Sequence, residues 1–122
     1  MWKREHKRAI GLRYERKAEE YLRSKGYRIL GRNLHFKGGE IDLVCEGEGG
    51  KGGILVFVEV RMRDPRSFSS PEESLCGRKK SRLRVACNSY LARYRGAARE
   101  IRIDLISFDG EGIHHRLNFI SF

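Results

Sequence analysis

Ile54-Leu55-Val56-Phe57-Val58 is apolar at every position, and few folds can accommodate such a segment. Successive side chains of a strand point to opposite faces, so this one is apolar on both. It has to be covered twice, by helices on both sides or by a helix on one side and sheet or loop on the other. Only its far end, Glu59-Val60-Arg61, turns polar. Upstream stand the glycine-dense stretch 47–53 and, before it, Glu40-Ile41-Asp42-Leu43-Val44-Cys45, which alternates polar and apolar before turning apolar. Together these segments predict a hairpin that delivers a central strand.

Apolar residues Ile10, Tyr14, Ala18, Tyr21 and Leu22 recur at helical period across 9–25, and Gly26 stands where a C-terminal cap belongs, which predicts a first helix. Tyr27-Arg28-Ile29-Leu30 and Leu34-His35-Phe36, interrupted by Gly31-Arg32-Asn33, predict a bent or bulged strand towards a sheet edge. Ser70-Pro71-Glu72-Glu73 combines a capping Ser, Pro at the first helical position and Glu three residues on, so a short helix is expected there, interrupted at Gly77. A second helical stripe, Leu83, Ala86, Cys87, Tyr90, Leu91 and Tyr94, runs to the Arg95-Gly96 break. Ile101, Ile103 and Leu105 then alternate with Arg102 and Asp104, and a last strand follows Asp109-Gly110, from 113 to 122. The expected fold is α/β, a central mixed β-sheet of about five strands flanked by helices in the order α-β-β-β-α-β-β. A length of 122 residues accommodates one domain, 1–122, with 1–8 expected as a disordered basic N-terminus.

The chain carries 26 Lys and Arg against 16 Asp and Glu, a net charge of +10, which points to a polyanionic partner such as nucleic acid. No stretch approaches the roughly 20 apolar residues of a membrane helix, and the basic start lacks the apolar segment of a signal peptide. A soluble, cytoplasmic protein is expected. Cys45, Cys76 and Cys87 are odd in number, lack CxxC spacing and sit in apolar patterns, as reduced buried thiols do. Arg78, Lys79, Lys80, Arg82 and Arg84 crowd the start of the second helical stripe, where they repel one another and oppose the helix dipole. Binding of nucleic-acid phosphates, with Arg63 nearby, would explain that cluster. A merely solubilising basic face is the alternative.

Residues two apart on a strand share a face, so Glu40 and Asp42 point together, as do Glu59, Arg61 and Arg63. A symmetric hairpin centred near residue 50 makes Asp42 and Glu59 cross-strand neighbours, and a slip of one residue would separate them. Two carboxylates at a sheet end, with cations nearby and no His or Cys ligand pair, suit Mg²⁺ or Mn²⁺, which could activate water at a phosphodiester. Alternatively, both carboxylates pair with Arg61, Arg63 or Arg28 across the sheet. Glu15 lies beside the first apolar stripe and either turns toward the sheet or stays in solvent. Glu40 is assigned a supporting role. His114 and His115, adjacent on a strand, face opposite ways and are expected to be ordinary strand residues, and Asp104 is expected to pair with neighbours of Arg102 across the sheet.

The blocks Tyr14-Glu15-Arg16-Lys17-Ala18, Gly26-Tyr27-Arg28-Ile29-Leu30-Gly31-Arg32-Asn33, Gly39-Glu40-Ile41-Asp42-Leu43-Val44, Val56-Phe57-Val58-Glu59-Val60-Arg61-Met62-Arg63 and Arg78-Lys79, in this order, closely resemble the YraN family of uncharacterised bacterial proteins, over about 11–108. The resemblance implies a restriction-endonuclease-like fold of the PD-(D/E)xK nuclease superfamily, close to Holliday-junction resolvases. On that superfamily's pattern, Glu15, Asp42 and Glu59-Val60-Arg61 surround one or two Mg²⁺, with Asp42, Glu59 and the Val60 carbonyl as ligands. It also implies DNA as partner and a homodimer as the working form. The chain departs from the pattern in having Tyr14 where the family usually has Gly and Arg61 where the superfamily has Lys. Arg61 cannot lose its proton, so it could orient a phosphate but not act as a base. The two readings that follow are a Mg²⁺-dependent endonuclease and a catalytically inactive nuclease-fold module binding nucleic acid or a protein. A basic accessory protein of RNA metabolism fits the charge as well.

Overall fold

Along the chain run α1 (Arg4–Ser24), β1 (Arg28–Phe36), β2 (Gly39–Gly47), β3 (Ile54–Met62), α2 (Gly77–Arg93), β4 (Glu100–Asp109) and β5 (Gly112–Ile120). This computed structural model describes residues 4–47, 53–63, 75 and 77–122, with side chains from Arg8 onward. The expected helix at Ser70–Glu73, the glycine loop at 48–52 and Cys76 lie outside the described residues. Residues 4–8, expected as part of a disordered N-terminus, are instead the first turn and more of α1.

The strands stand in sequence order, β1-β2-β3-β4-β5. β1, β2 and β3 form an antiparallel meander, β3 and β4 run parallel with α2 in the crossover between them, and β5 returns antiparallel to β4. The sheet is therefore mixed, with β3 at its centre and β1 and β5 at its edges, as expected.

β3 decides where the helices go. Ile54, Val56 and Val58 pack with Leu43, Cys45, Ile106 and Phe108 against Ala18 and Leu22 of α1. On the other face, Leu55 and Phe57 pack with Val44 and Ile103 against Leu83, Ala86 and Cys87 of α2. Each of the Val, Leu, Ile and Phe side chains among them is worth about 1.5–3 kcal/mol when removed from water. Both covers are helical, the first of the two arrangements open to a strand apolar on both faces. Cys45 and Cys87 are free, buried thiols, and burial pushes both up to about 12, so they are inert.

Two local devices, at opposite ends of β1, set how the helices meet the sheet. Gly26, at φ +92°, closes α1: its N–H donates to the Arg23 carbonyl at 3.0 Å, and the Tyr27 N–H donates to the Leu22 carbonyl at 3.0 Å. At Gly39, a Cβ would lie 2.1 Å from the Arg82 carbonyl oxygen, so the start of β2 touches the backbone of α2 directly. That contact brings the basic first half of α2 over the polar ends of β2 and β3.

Candidate metal and nucleic-acid site

The register settles which carboxylates meet. β2 and β3 pair Gly47 with Ile54 through to Leu43 with Val58, and the next pair in that register would be Asp42 with Glu59. Here the ladder stops, and the Val60 N–H instead donates to Asp42 Oδ2 at 2.8 Å. Strict alternation also fails at this point, because Ile41 and Val44 both lie in the α2-side core while Leu43 and Cys45 lie in the α1-side core. Asp42 sits at that break, where it can meet Glu15 from α1 and Glu59 on β3.

Asp42 suppresses the ionisation of both glutamates, which in turn hydrogen-bond it and favour its own charge. Burial and the Asp42 charge raise Glu15 to about 7, and the same two causes raise Glu59 to about 8, with Arg61 and Lys79 opposing. Burial also raises Asp42, against the Val60 N–H. At neutral pH and without a cation, the trio holds protons that isolated carboxyls would have lost.

Asp42 and Glu59 open into a cleft of about 560 Å³, with Arg61, Lys79 and Arg82 also lining it. Glu15 does not line the cleft and meets Asp42 from the α1 side. Glu40 lines it too, but its carboxylate reaches His35 Nδ1 at 3.0 Å and acts on the trio only through its charge, which raises both Glu15 and Asp42. Of the basic residues expected at phosphates, Lys79 and Arg82 face the cleft, whereas Arg78 and Lys80 do not. Arg63 is placed elsewhere: its N–H donates to the Phe108 carbonyl at 2.7 Å and it lines a separate small pocket with His114 and Arg116. Among the described residues no group of three or more His, Cys, Asp or Glu forms a ready-made metal cage, so the trio is joined by protons and not by converging ligands.

Reasoning from sequence missed the parts that hold Glu15 in place. Asn33 takes the left-handed conformation, φ +47°, and with its amide oriented as the two carboxylate acceptors require, its NH₂ donates to both Glu15 oxygens at 3.1 Å. One turn along α1, Glu19 accepts two hydrogen bonds from Arg32, through Nε at 2.8 Å and through Nη2, and these and Arg23 pull it down to about 2. Arg32 and Asn33 thus fasten β1 to α1 at two successive turns. The signal was the interruption Gly31-Arg32-Asn33, since Asn is among the few residues that tolerate positive φ.

Level with Val58 of β3, Asp104 pairs across the sheet to β5, as expected, but with Arg102 itself as well. It pairs with Arg102 on its own strand, at 2.7 and 2.9 Å, and with His115 Nε2 at 2.7 Å. His115 is accordingly no ordinary strand residue, since its Nδ1 meets the Tyr21 hydroxyl of α1 at 3.1 Å. His114 faces away and pairs with Asp109 at 2.8 Å, so the two histidines do diverge.

Fold and site together define a small basic α/β protein with a carboxyl trio at the mouth of its sheet. The chain belongs to the uncharacterised protein family UPF0102, whose model matches residues 14–108; this is the YraN-type family its motifs resemble. It is 36% identical over 121 residues to a UPF0102 protein of Carboxydothermus hydrogenoformans, covering 96% of this chain and 99% of that one. It is 44% identical over 115 residues to one of Syntrophomonas wolfei, covering 91% and 96%, and 42% identical over 113 residues to one of Pelotomaculum thermopropionicum, covering 91% of each. Among the described residues no helix is long and apolar enough to cross a membrane.

Proposed function

We propose that this protein is a restriction-endonuclease-like, Mg²⁺- or Mn²⁺-dependent endonuclease that hydrolyses DNA phosphodiesters. The observation that carries the reading is the meeting of Glu15, Asp42 and Glu59, from three different elements, beside a cleft that Arg61, Lys79 and Arg82 also line. The donor set fits a hard divalent ion, being carboxylate oxygen with no thiol or imidazole. Asp42 and Glu59, with the Val60 carbonyl, would hold it. When bound, such an ion supplies charge neutralisation at a phosphate and activation of a water.

The chain's own residues do the rest. Arg61 grips the scissile phosphate and steadies its developing charge, because a guanidinium is a planar fork that stays protonated. Lys79 and Arg82 hold the flanking phosphates. The water oxygen bonds to phosphorus, the ester P–O bond breaks with its electron pair on the leaving oxygen, an ionised carboxylate of the trio takes up the water's proton, and the leaving oxygen takes a proton from solvent. A net charge of +10 draws the polyanion in.

One specific residue favours a second reading. Arg61 stands where the superfamily has Lys, which fits a module that binds nucleic acid without cutting it. Calorimetric titration of Mg²⁺ and Mn²⁺ into wild type and Asp42→Ala, beside cleavage assays on linear, flapped and four-way DNA, separates the two. Metal binding and cleavage that both vanish in Asp42→Ala are the expected result. Retention of DNA at low salt without metal binding or cleavage would leave the binding module.

A further inference from the structure

A second groove opens beside the cleft. It measures about 410 Å³, its walls are Leu34 and Phe36 of β1 with Tyr90 and Tyr94 of α2 and its end, and Arg93 and Arg95 stand at its rim. The groove and the acidic cleft share His35 and Phe36, so they are neighbouring stations on one surface.

The aromatic walls are held from behind. Tyr90 and Tyr94 lie 6.1 Å apart, centroid to centroid, at 29°, and the edge of Phe57 supports Tyr90 at 5.5 Å and 84°. The Tyr94 hydroxyl donates to Glu46 Oε2 at 2.8 Å and accepts from the Ala98 N–H at 3.3 Å, so its ring cannot swing away. Rings that only roof a core need no cations beside them. Here two exposed guanidinium groups flank the groove, and neither has an acidic partner among the described residues. Arg93 also suits the C-terminal turn of α2, but Arg95 lies beyond the helix and gains nothing from it.

We infer that this groove takes an unstacked base of single-stranded DNA, stacked on its aromatic side chains, with Arg93 and Arg95 on the adjoining phosphates. Aromatic rings with interleaved cations are the means by which proteins bind single strands without reading sequence. The inference rests on the nuclease reading and sharpens it: the substrate has unpaired nucleotides next to the phosphate held in the cleft, as a flap, fork or loop has, and not a continuous blunt duplex.

The test is equilibrium binding by fluorescence anisotropy in EDTA, which leaves cleavage out of the measurement. The probes are a labelled DNA single strand, a blunt duplex, a duplex with a single-stranded arm, an RNA strand, and the armed duplex with one abasic nucleotide moved along its arm. The armed duplex should bind wild type more tightly than the blunt one. One abasic position should weaken binding about tenfold, the scale of one lost stack. Tyr90→Leu should remove that positional dependence, and Tyr90→Phe should keep it. Arg93→Ala with Arg95→Ala should lower the salt dependence by roughly one to two released ions.

Equal binding at every abasic position, or equal affinity for blunt and armed duplexes, would overturn the inference, and tighter binding of RNA would overturn the choice of DNA. The abasic scan uses unaltered protein, so a folding defect in a variant cannot imitate the result. An abasic effect in a protein that never cleaves with metal would keep the groove and remove the nuclease. Metal-dependent cleavage without an abasic effect would do the reverse.

Discussion

Asp42 and Asp104 are both withdrawn from water, and they titrate in opposite directions. Asp104 is 0% exposed, yet Arg102 donates to it twice, the Asn118 N–H donates at 2.9 Å, and His115 completes the set. Burial alone would raise it, but the bonds from His115, Arg102 and Asn118 outweigh burial and hold it below the usual carboxylate range. Asp42 receives the Val60 N–H and otherwise faces carboxyls, and burial leaves it raised. Two strands apart and at nearly the same level of the sheet, compensation is complete at Asp104 and missing at Asp42. A satisfied buried charge is a structural fastening, here joining β4, β5 and α1, whereas the carboxyls around Asp42 are gathered without cations enough to compensate them.

The strongest way to break this comparison is to delete both aspartates. Asp104→Ala strands Arg102 and His115 and should cost about 3–5 kcal/mol in urea unfolding. Asp42→Ala should cost far less, because it relieves repulsion on Glu15 and Glu59. Equal losses would mean that the two aspartates do the same job.

A pH series sharpens it next. Unfolded, Glu15 and Glu59 ionise near 4.5; folded, they keep their protons up to about 7 and about 8. Between those limits the folded state binds more protons, so metal-free stability should fall as pH rises from about 5 to about 8. Asp104 has the opposite sign, its contribution being lost only as pH falls through its lowered folded value. Glu59→Gln should therefore raise the melting temperature by about 5 °C on the alkaline side and change it little near pH 5. Mg²⁺ should stabilise wild type progressively over the same rise, as binding displaces the trio's protons.

The smallest expected effect concerns the clamp on α1. Arg32→Ala removes an exposed pair and should cost no more than about 1 kcal/mol, but it loosens the turn that presents Glu15. Metal affinity should drop by up to about tenfold, because Glu15 hydrogen-bonds Asp42, and a lost partner of a ligand acts on that scale. An unchanged affinity would show that Asn33 holds Glu15 unaided.

Much of this was legible along the chain. The all-apolar segment 54–58 required covers on both faces, and the hairpin symmetry about residue 50 matches the register observed up to Leu43 and Val58, one step before Asp42 and Glu59. The bulge in β1 falls between Ile29 and Gly31, beside the interruption that announced it. Other features were hidden because they depend on contacts between distant elements. His115 looked ordinary until Tyr21, 94 residues away, met its ring. Arg63 shared a strand face with Glu59 on paper, but its side chain lies over β4 and β5, outside the cleft.

Periodicity and strand pairing are local properties, set by where apolar side chains and turns fall, so the sequence by itself determined the order of elements, the central strand and the encounter of Asp42 with Glu59. Electrostatics is not local. Whether a carboxyl keeps its proton depends on every charge and dipole within a few ångströms, whichever part of the chain supplies it. Only the tertiary structure, by folding α1 against the break at Asp42 and laying α2 over Gly39, made one aspartate a compensated fastening and left the other among carboxyls.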